Sequence, residues 1–98
     1  MKIYYVYILK CSDNTYYTGF TSNLPQRLEE HRTGRHPESY THKRRPVYLV
    51  FYAEFTELDI AIQTEKQIKK WSRAKKEALI NGDFEKLPNL AKKKFKKE

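Results

Sequence analysis

Residues 3 to 9 read Ile-Tyr-Tyr-Val-Tyr-Ile-Leu, seven apolar or aromatic positions without a charge among them. A half-buried strand alternates apolar with polar residues, so an unbroken run of this length is a strand covered on both faces, which makes it the centre of a sheet. At 98 residues the chain has room for one such core and no second domain. Ser12-Asp13-Asn14 supplies turn chemistry, and Tyr16 to Thr21 reads as the returning strand of an antiparallel hairpin. Gly19 inside that strand marks a bulge or a close approach. A turn centred on one residue, such as Asp13, pairs odd positions with odd and puts Tyr7 and Tyr17 on one face; a two-residue Asp13-Asn14 loop splits them.

Ser22 or Asn23 can cap a helix with Pro25 in its first turn, and Gly34 is a suitable stop. A polar loop from 35 to 46 precedes a second buried strand pattern at Val47 to Ala53. Thr56, with Asp59 three residues on, caps a helix that runs from Glu57 to about Ser72, with Trp71 as its anchor. Another helix runs from Arg73 to Ile80 and ends at Asn81-Gly82, Asp83 to Leu87 adds one turn, and Lys92 to Glu98 reads as a frayed tail. The expected fold is α+β, a three-stranded sheet packed with helices in the order β-β-α-β-α-α. Residues 1–82 form the domain and 83–98 a short basic extension.

Charge narrows the partners. The net charge is +8, yet residues 1–65 hold eight basic and eight acidic side chains, while residues 66–98 hold twelve against four. An excess confined to the C-terminal third points to a polyanion, nucleic acid ahead of anionic lipid. Lys43, Arg44, Arg45, Lys69, Lys70 and Arg73 are the candidate contacts. Cys11 is the only cysteine, which excludes an intrachain disulfide and a multi-thiolate metal site and points to the reducing cytoplasm. The N-terminal run is too short and too polar for a signal peptide or a membrane span. His36 and His42 lie in the polar loop at no ligand spacing and read as surface residues.

Two helices carry polar residues where apolar ones belong. Leu24, Arg27, Leu28 and His31 fall at i, i+3, i+4 and i+7, so an arginine and a histidine interrupt the face that packs on the sheet. Such an arginine can hold a phosphate in its planar fork of donors, and a histidine one turn later can shuttle a proton; either can also snorkel round a helix edge. Leu58, Ala61, Ile62, Glu65 and Ile68 share a second stripe with a carboxylate at its centre. Buried unpaired, that carboxylate would cost several kcal/mol, so Glu65 must meet a cation, a metal or a ring of donors: Arg27 in an internal ion pair is the structural reading, a divalent metal the functional one.

Most of the tyrosines are packing residues, but two fall into a pattern. Val6-Tyr7-Ile8 and Tyr17-Thr18-Gly19, followed in order by Arg27, His31 and a helical Glu65, resemble the motifs of the GIY-YIG nuclease superfamily, in particular its small bacterial stand-alone, UPF0213-like members. The resemblance covers roughly residues 2 to 80, with valine in place of the first motif's glycine and threonine in place of the second motif's isoleucine. It implies a three-stranded antiparallel sheet flanked by helices and hydrolysis of a phosphodiester, DNA foremost, with one Mg²⁺ or Mn²⁺. By that analogy Tyr7 deprotonates or orients the attacking water, Tyr17 and His31 assist, Arg27 neutralises the phosphate, Glu65 holds the metal, and Gly19 allows a close backbone approach. A binding module of the same fold without turnover, and a protein-interaction module for an acidic partner, are the competing readings.

Overall fold

The computed structural model describes residues 1–87, so the basic tail expected at Lys92 to Glu98 lies outside the described residues. Strand β1 (Tyr4–Lys10) lies between β2 (Tyr16–Thr21) and β3 (Tyr48–Phe55) and is antiparallel to both. It is central, as expected of its unbroken apolar run, and Val6, Tyr7, Ile8 and Leu9 are at most 1% exposed. Val6 and Ile8 point to one face, against Ala61 and Ile68 of helix α2 (Leu58–Lys69) and Ala78 and Leu79 of helix α3 (Arg73–Ile80). Tyr7 and Leu9 point to the other, against Leu24 and Leu28 of helix α1 (Leu24–Thr33). Helices therefore cover both faces, in the chain order β-β-α-β-α-α.

The hairpin resolves the question of register. Cys11 N donates to Thr15 O at 2.9 Å and Asn14 N to Cys11 O at 3.0 Å, closing a loop of Ser12, Asp13 and Asn14. Asn14 takes the left-handed conformation, φ 66°, that the last residue of such a three-residue loop requires. The turn centres on Asp13, so Tyr7 pairs with Gly19 and Leu9 with Tyr17. Both tyrosines consequently share the α1 face. Gly19 makes no bulge, because the β1–β2 register runs through it unbroken.

Other expectations are corrected. The segment at Val47 to Ala53 is not a buried strand but part of an edge: β3 runs from Tyr48 to Phe55, and Tyr48 and Tyr52 stay 62% and 51% exposed. Apolar composition alone does not distinguish a central strand from an edge. The register of β3 against β1 shifts between Ile8 and Leu9, so the irregularity in the sheet lies there. Thr56 does not cap α2; Glu57 stands at the N-cap without a side-chain bond, and the helix ends at Lys69, short of Ser72. Its buried line is Ala61, Thr64 and Ile68, with Leu58 46% exposed, so Glu65 flanks the core-facing stripe rather than centring it. Thr64 could take that place because its hydroxyl donates to Ile60 O, one turn back, at 2.7 Å.

The remaining helix ends follow their residues. Asn23 Oδ1 accepts Gln26 N at 3.2 Å, and Gly34, φ 70°, closes α1 by donating to Glu30 O. Ser72 caps α3, Gly82 terminates it at φ 74°, and Phe84–Lys86 adds a single 3-10 turn. Trp71 packs on the α2–α3 side of the core.

Candidate active site

Tyr7 and Gly19 are directly opposed across the hairpin, and the tyrosine ring lies flat over the glycine. A Cβ on Gly19 would stand 2.4 Å from Tyr7 Oη and 2.5 Å from Cζ, so the ring occupies the space a side chain would fill. The close approach expected at Gly19 is made by the Tyr7 ring. From this position Tyr7 Oη meets His31 Nε2 at 2.9 Å. His31 comes in from α1, buried to 6% exposure, and its Nδ1 meets Thr41 Oγ1 at 2.8 Å. Tyr17 packs edge-on against the imidazole with centroids 5.3 Å apart and stacks on Tyr40 at 6.0 Å.

Burial, and after it the neighbouring Tyr17, raise the Tyr7 phenol well above its ordinary range; Glu65 and Glu30 raise it further and Arg27 lowers it. Burial also lowers the His31 imidazolium, helped by Arg27 and His36 and opposed by Glu30. The hydroxyl is therefore kept protonated and the imidazole neutral. Arg27 and Glu65, from helices on opposite faces, both act electrostatically on this one hydroxyl.

Arg27 is half-buried and lines a polar cleft of about 170 Å³ with Thr21, Ser22, Asn23, Gln26 and Glu30. Among the described residues its ion-pair contact is Glu30 at a loose 3.8 Å, and Arg27 makes no pair with Glu65. Glu65 instead meets Lys69 Nζ, one turn on, at 2.7 Å. Glu30 was missed by the sequence reading, although its place three residues after Arg27 was the available signal. Thr41 and Ser39 were missed as well, because a loop has no periodicity to make a polar residue conspicuous.

The proposed basic contacts have varied places. Arg44 donates to Asp13 Oδ2 at 3.0 Å and to Tyr40 O at 2.8 Å while lying 3.8 Å over the Tyr40 ring, which ties the 35–46 loop to the hairpin turn. Arg45 Nε donates to His42 O, and Lys43 is exposed beside it. His42 is half-buried rather than a surface residue, and its Nδ1 is buried without a partner among the described residues. Arg73 bonds Glu77 and Asn14 O and covers the Tyr16 ring at 4.7 Å, which fastens α3 to the hairpin. Lys70 is exposed.

Tyr7 of the central strand and His31 of α1 thus form a buried hydrogen-bonded pair, with Arg27 and Glu65 bearing on the same hydroxyl, in an α+β domain of three antiparallel strands flanked by helices. Residues 3–78 match the GIY-YIG catalytic domain, and the chain belongs to that family. It is 48% identical over 83 residues to a UPF0213 protein of Syntrophus aciditrophicus, covering 85% of this chain and 95% of that one. Against the UPF0213 protein YazA of Bacillus subtilis the identity is 40% over 77 residues, 79% of this chain and 77% of the other. The solution NMR structure of the UPF0213 protein BH0048 from Bacillus halodurans has a TM-score of 0.54 at 38% identity, covering 81% and 83% of the two chains. That of EF2693 from E. faecalis has a TM-score of 0.60 at 32% identity, covering 84% and 86%.

Both departures from the family motifs lie on the sheet face opposite Tyr7 and Tyr17. Val6 is fully buried in the α2–α3 core, and Thr18, paired with Ile8, faces the same side. Tyr7, Tyr17 and Gly19 keep the opposite face. Among the described residues no helix is long and apolar enough to cross a membrane.

Proposed function

We propose that this chain is a divalent-metal-dependent endonuclease that hydrolyses nucleic-acid phosphodiester bonds, DNA first among them by family resemblance, and that it works in the cytoplasm, where its single buried thiol, Cys11, stays reduced. The observation that carries the reading is the 2.9 Å contact of Tyr7 with His31, placed within electrostatic reach of both Arg27 and Glu65. A phenol held above its ordinary range attacks nothing by itself, but one already hydrogen-bonded to a neutral imidazole has an acceptor for its proton. Tyr7 would then orient and deprotonate the attacking water. Tyr17, edge-on to the imidazole, excludes solvent from it. Arg27, only loosely tied to Glu30, is free to turn its fork of donors to the phosphate as negative charge develops.

Glu65 is the residue that would hold the metal. Its side chain is 14% exposed, and among the described residues its ion-pair partner is the half-exposed Lys69. A cation bound by this one carboxylate would complete its shell with phosphate and water. A divalent cation held by Glu65 would supply positive charge against the charge that develops on the phosphate.

The test is cleavage of plasmid, branched and single-stranded DNA and of RNA by the purified protein with Mg²⁺ or Mn²⁺. Glu65→Gln and Tyr7→Phe should each reduce cleavage by at least about a hundredfold. Activity surviving either substitution overturns the assignment. One observation favours the binding module without turnover, namely Lys69 already neutralising Glu65 at 2.7 Å. That reading predicts salt-sensitive DNA binding that leaves the DNA intact with either metal.

A further inference from the structure

Beyond His31 the hydrogen bonds continue into the 35–46 loop. Thr41, 1% exposed, takes His31 Nδ1 at 2.8 Å, and its Oγ1 lies 3.1 Å from Ser39 Oγ. Thr41 N also donates to Ser39 Oγ, at 3.3 Å, which holds the serine in place. Ser39 itself is only partly buried and reaches the surface of the loop.

We propose that Thr41 and Ser39 form the proton exit of the site: they fix the tautomer in which His31 accepts from Tyr7, and they carry the imidazole's other proton to solvent. The direction of the chain follows from counting donors. Tyr7 is 1% exposed and, among the described residues, His31 Nε2 is the only hydrogen-bond partner of its hydroxyl, so the phenolic proton is satisfied by donating to Nε2. Nε2 must then be the bare nitrogen and Nδ1 the protonated one, which donates to Thr41 Oγ1. The threonine's own proton is left for Ser39 Oγ. That oxygen accepts from Thr41 twice, at backbone and side chain, and turns its own hydrogen outward.

A concerted shift along this chain balances. The Tyr7 O–H bond breaks as Nε2–H forms, Nδ1–H breaks as a new Thr41 O–H forms, and the original Thr41 O–H breaks as a new Ser39 O–H forms. Ser39 passes its former proton to water. Tyr7 is left as a phenolate, and His31 is still neutral with its hydrogen on the other nitrogen. The route matters because burial and Arg27 disfavour a charged imidazolium, with His36 acting in the same sense and Glu30 against it. Tyr17, Glu65 and Glu30 oppose the phenolate and Arg27 favours it. Thr41 touches neither water nor phosphate in this scheme and is a positioning residue.

The catalytic half of this inference rests on the nuclease reading; the tautomer does not, and the experiment separates them. In full-length protein labelled with ¹⁵N-histidine, NMR at neutral pH should show His31 protonated on Nδ1 and bare at Nε2. Thr41→Val, nearly isosteric, should abolish that form and Thr41→Ser retain it. A wild type protonated on Nε2, or an unchanged His31 in Thr41→Val, overturns the assignment. In the cleavage assay Thr41→Val and Ser39→Ala should each slow turnover roughly tenfold to a hundredfold without weakening the binding of uncleaved DNA, and Thr41→Ser should stay within about threefold of wild type. Ser39→Ala cleaving at the wild-type rate overturns the exit. A wild type that cuts nothing overturns the nuclease reading and the exit with it, while the NMR result stands on its own.

Discussion

Replacing Gly19 by alanine tests the packing on which the whole site depends. The added methyl would lie 2.4 Å from Tyr7 Oη, 2.5 Å from Cζ and 2.9 Å from Cε1, against an ordinary carbon contact of about 3.5 to 4 Å. The ring must therefore lift by on the order of 1 Å, and the 2.9 Å bond to His31 cannot survive such a shift. Overpacking of this kind costs ~1–3 kcal/mol, and a buried hydroxyl and imidazole left unpaired cost ~1–3 kcal/mol more. Removing a strand glycine returns ~0.5–1 kcal/mol through the unfolded chain. The net loss should be roughly 2–4 kcal/mol, and at about 4–8 °C per kcal/mol for a domain of this size Tm should fall by on the order of 10–25 °C. Thermal and urea unfolding would measure it. Tyr7→Phe in the Gly19→Ala background should not relieve the clash, because Cζ and Cε1 remain, whereas Tyr7→Leu should relieve most of it. A Gly19→Ala protein as stable as wild type, or rescue by phenylalanine, would refute this account of the glycine.

Other outcomes follow from particular contacts. Thr18 is 3% exposed and its Oγ1 is buried without a partner among the described residues, so Thr18→Val should raise stability by about 1 kcal/mol, read as an increase of ~4–8 °C in Tm. His31 is held below its ordinary 6.5 by burial, so its contribution to stability is complete above that pH and is lost as pH falls below it, while the unfolded chain takes up a proton that the folded site refuses. Tyr7 has the opposite sign: raised from 10.0, it contributes fully below that pH, and the contribution is lost above it. Urea unfolding across pH 5 to 11 should show both slopes, with the acid one missing in His31→Gln. Finally, Arg73→Ala should lower stability by about 1 kcal/mol through its ties to Tyr16, Glu77 and Asn14. Lys70→Ala should leave Tm unchanged and, if the lysine meets a phosphate, reduce the salt dependence of DNA binding by about one ion in a fluorescence titration.

Strand and helix order was legible because it rests on local physics. The run from Ile3 to Leu9 marks a strand by its own residues, and Asn23, Gly34, Ser72 and Gly82 mark helix ends through bonds to neighbours a few residues away. Arg27 and His31 stood out for the same reason, since helical spacing alone places them with Leu24 and Leu28. The role of β3 as an edge was not legible, because exposure depends on what packs alongside a strand and not on its own residues. Glu65 was noticed for a position it does not hold: a stripe drawn through Leu58 and Ile62 rotates once Thr64 satisfies its hydroxyl within the helix and takes the buried place.

The central strand opened the sequence, and it also marks the boundary between the two kinds of information. Alternation along β1 assigns odd and even residues to opposite faces before anything is folded. Which tyrosine on the neighbouring strand joins Tyr7 was decided by the three-residue turn at Ser12–Asn14, and the sequence had left that choice open. The partners of His31 lay further beyond reach. Tyr7, His31 and Thr41 come from a strand, a helix and a loop, and separations of 24 and 10 residues leave no periodic trace when the chain brings them into contact.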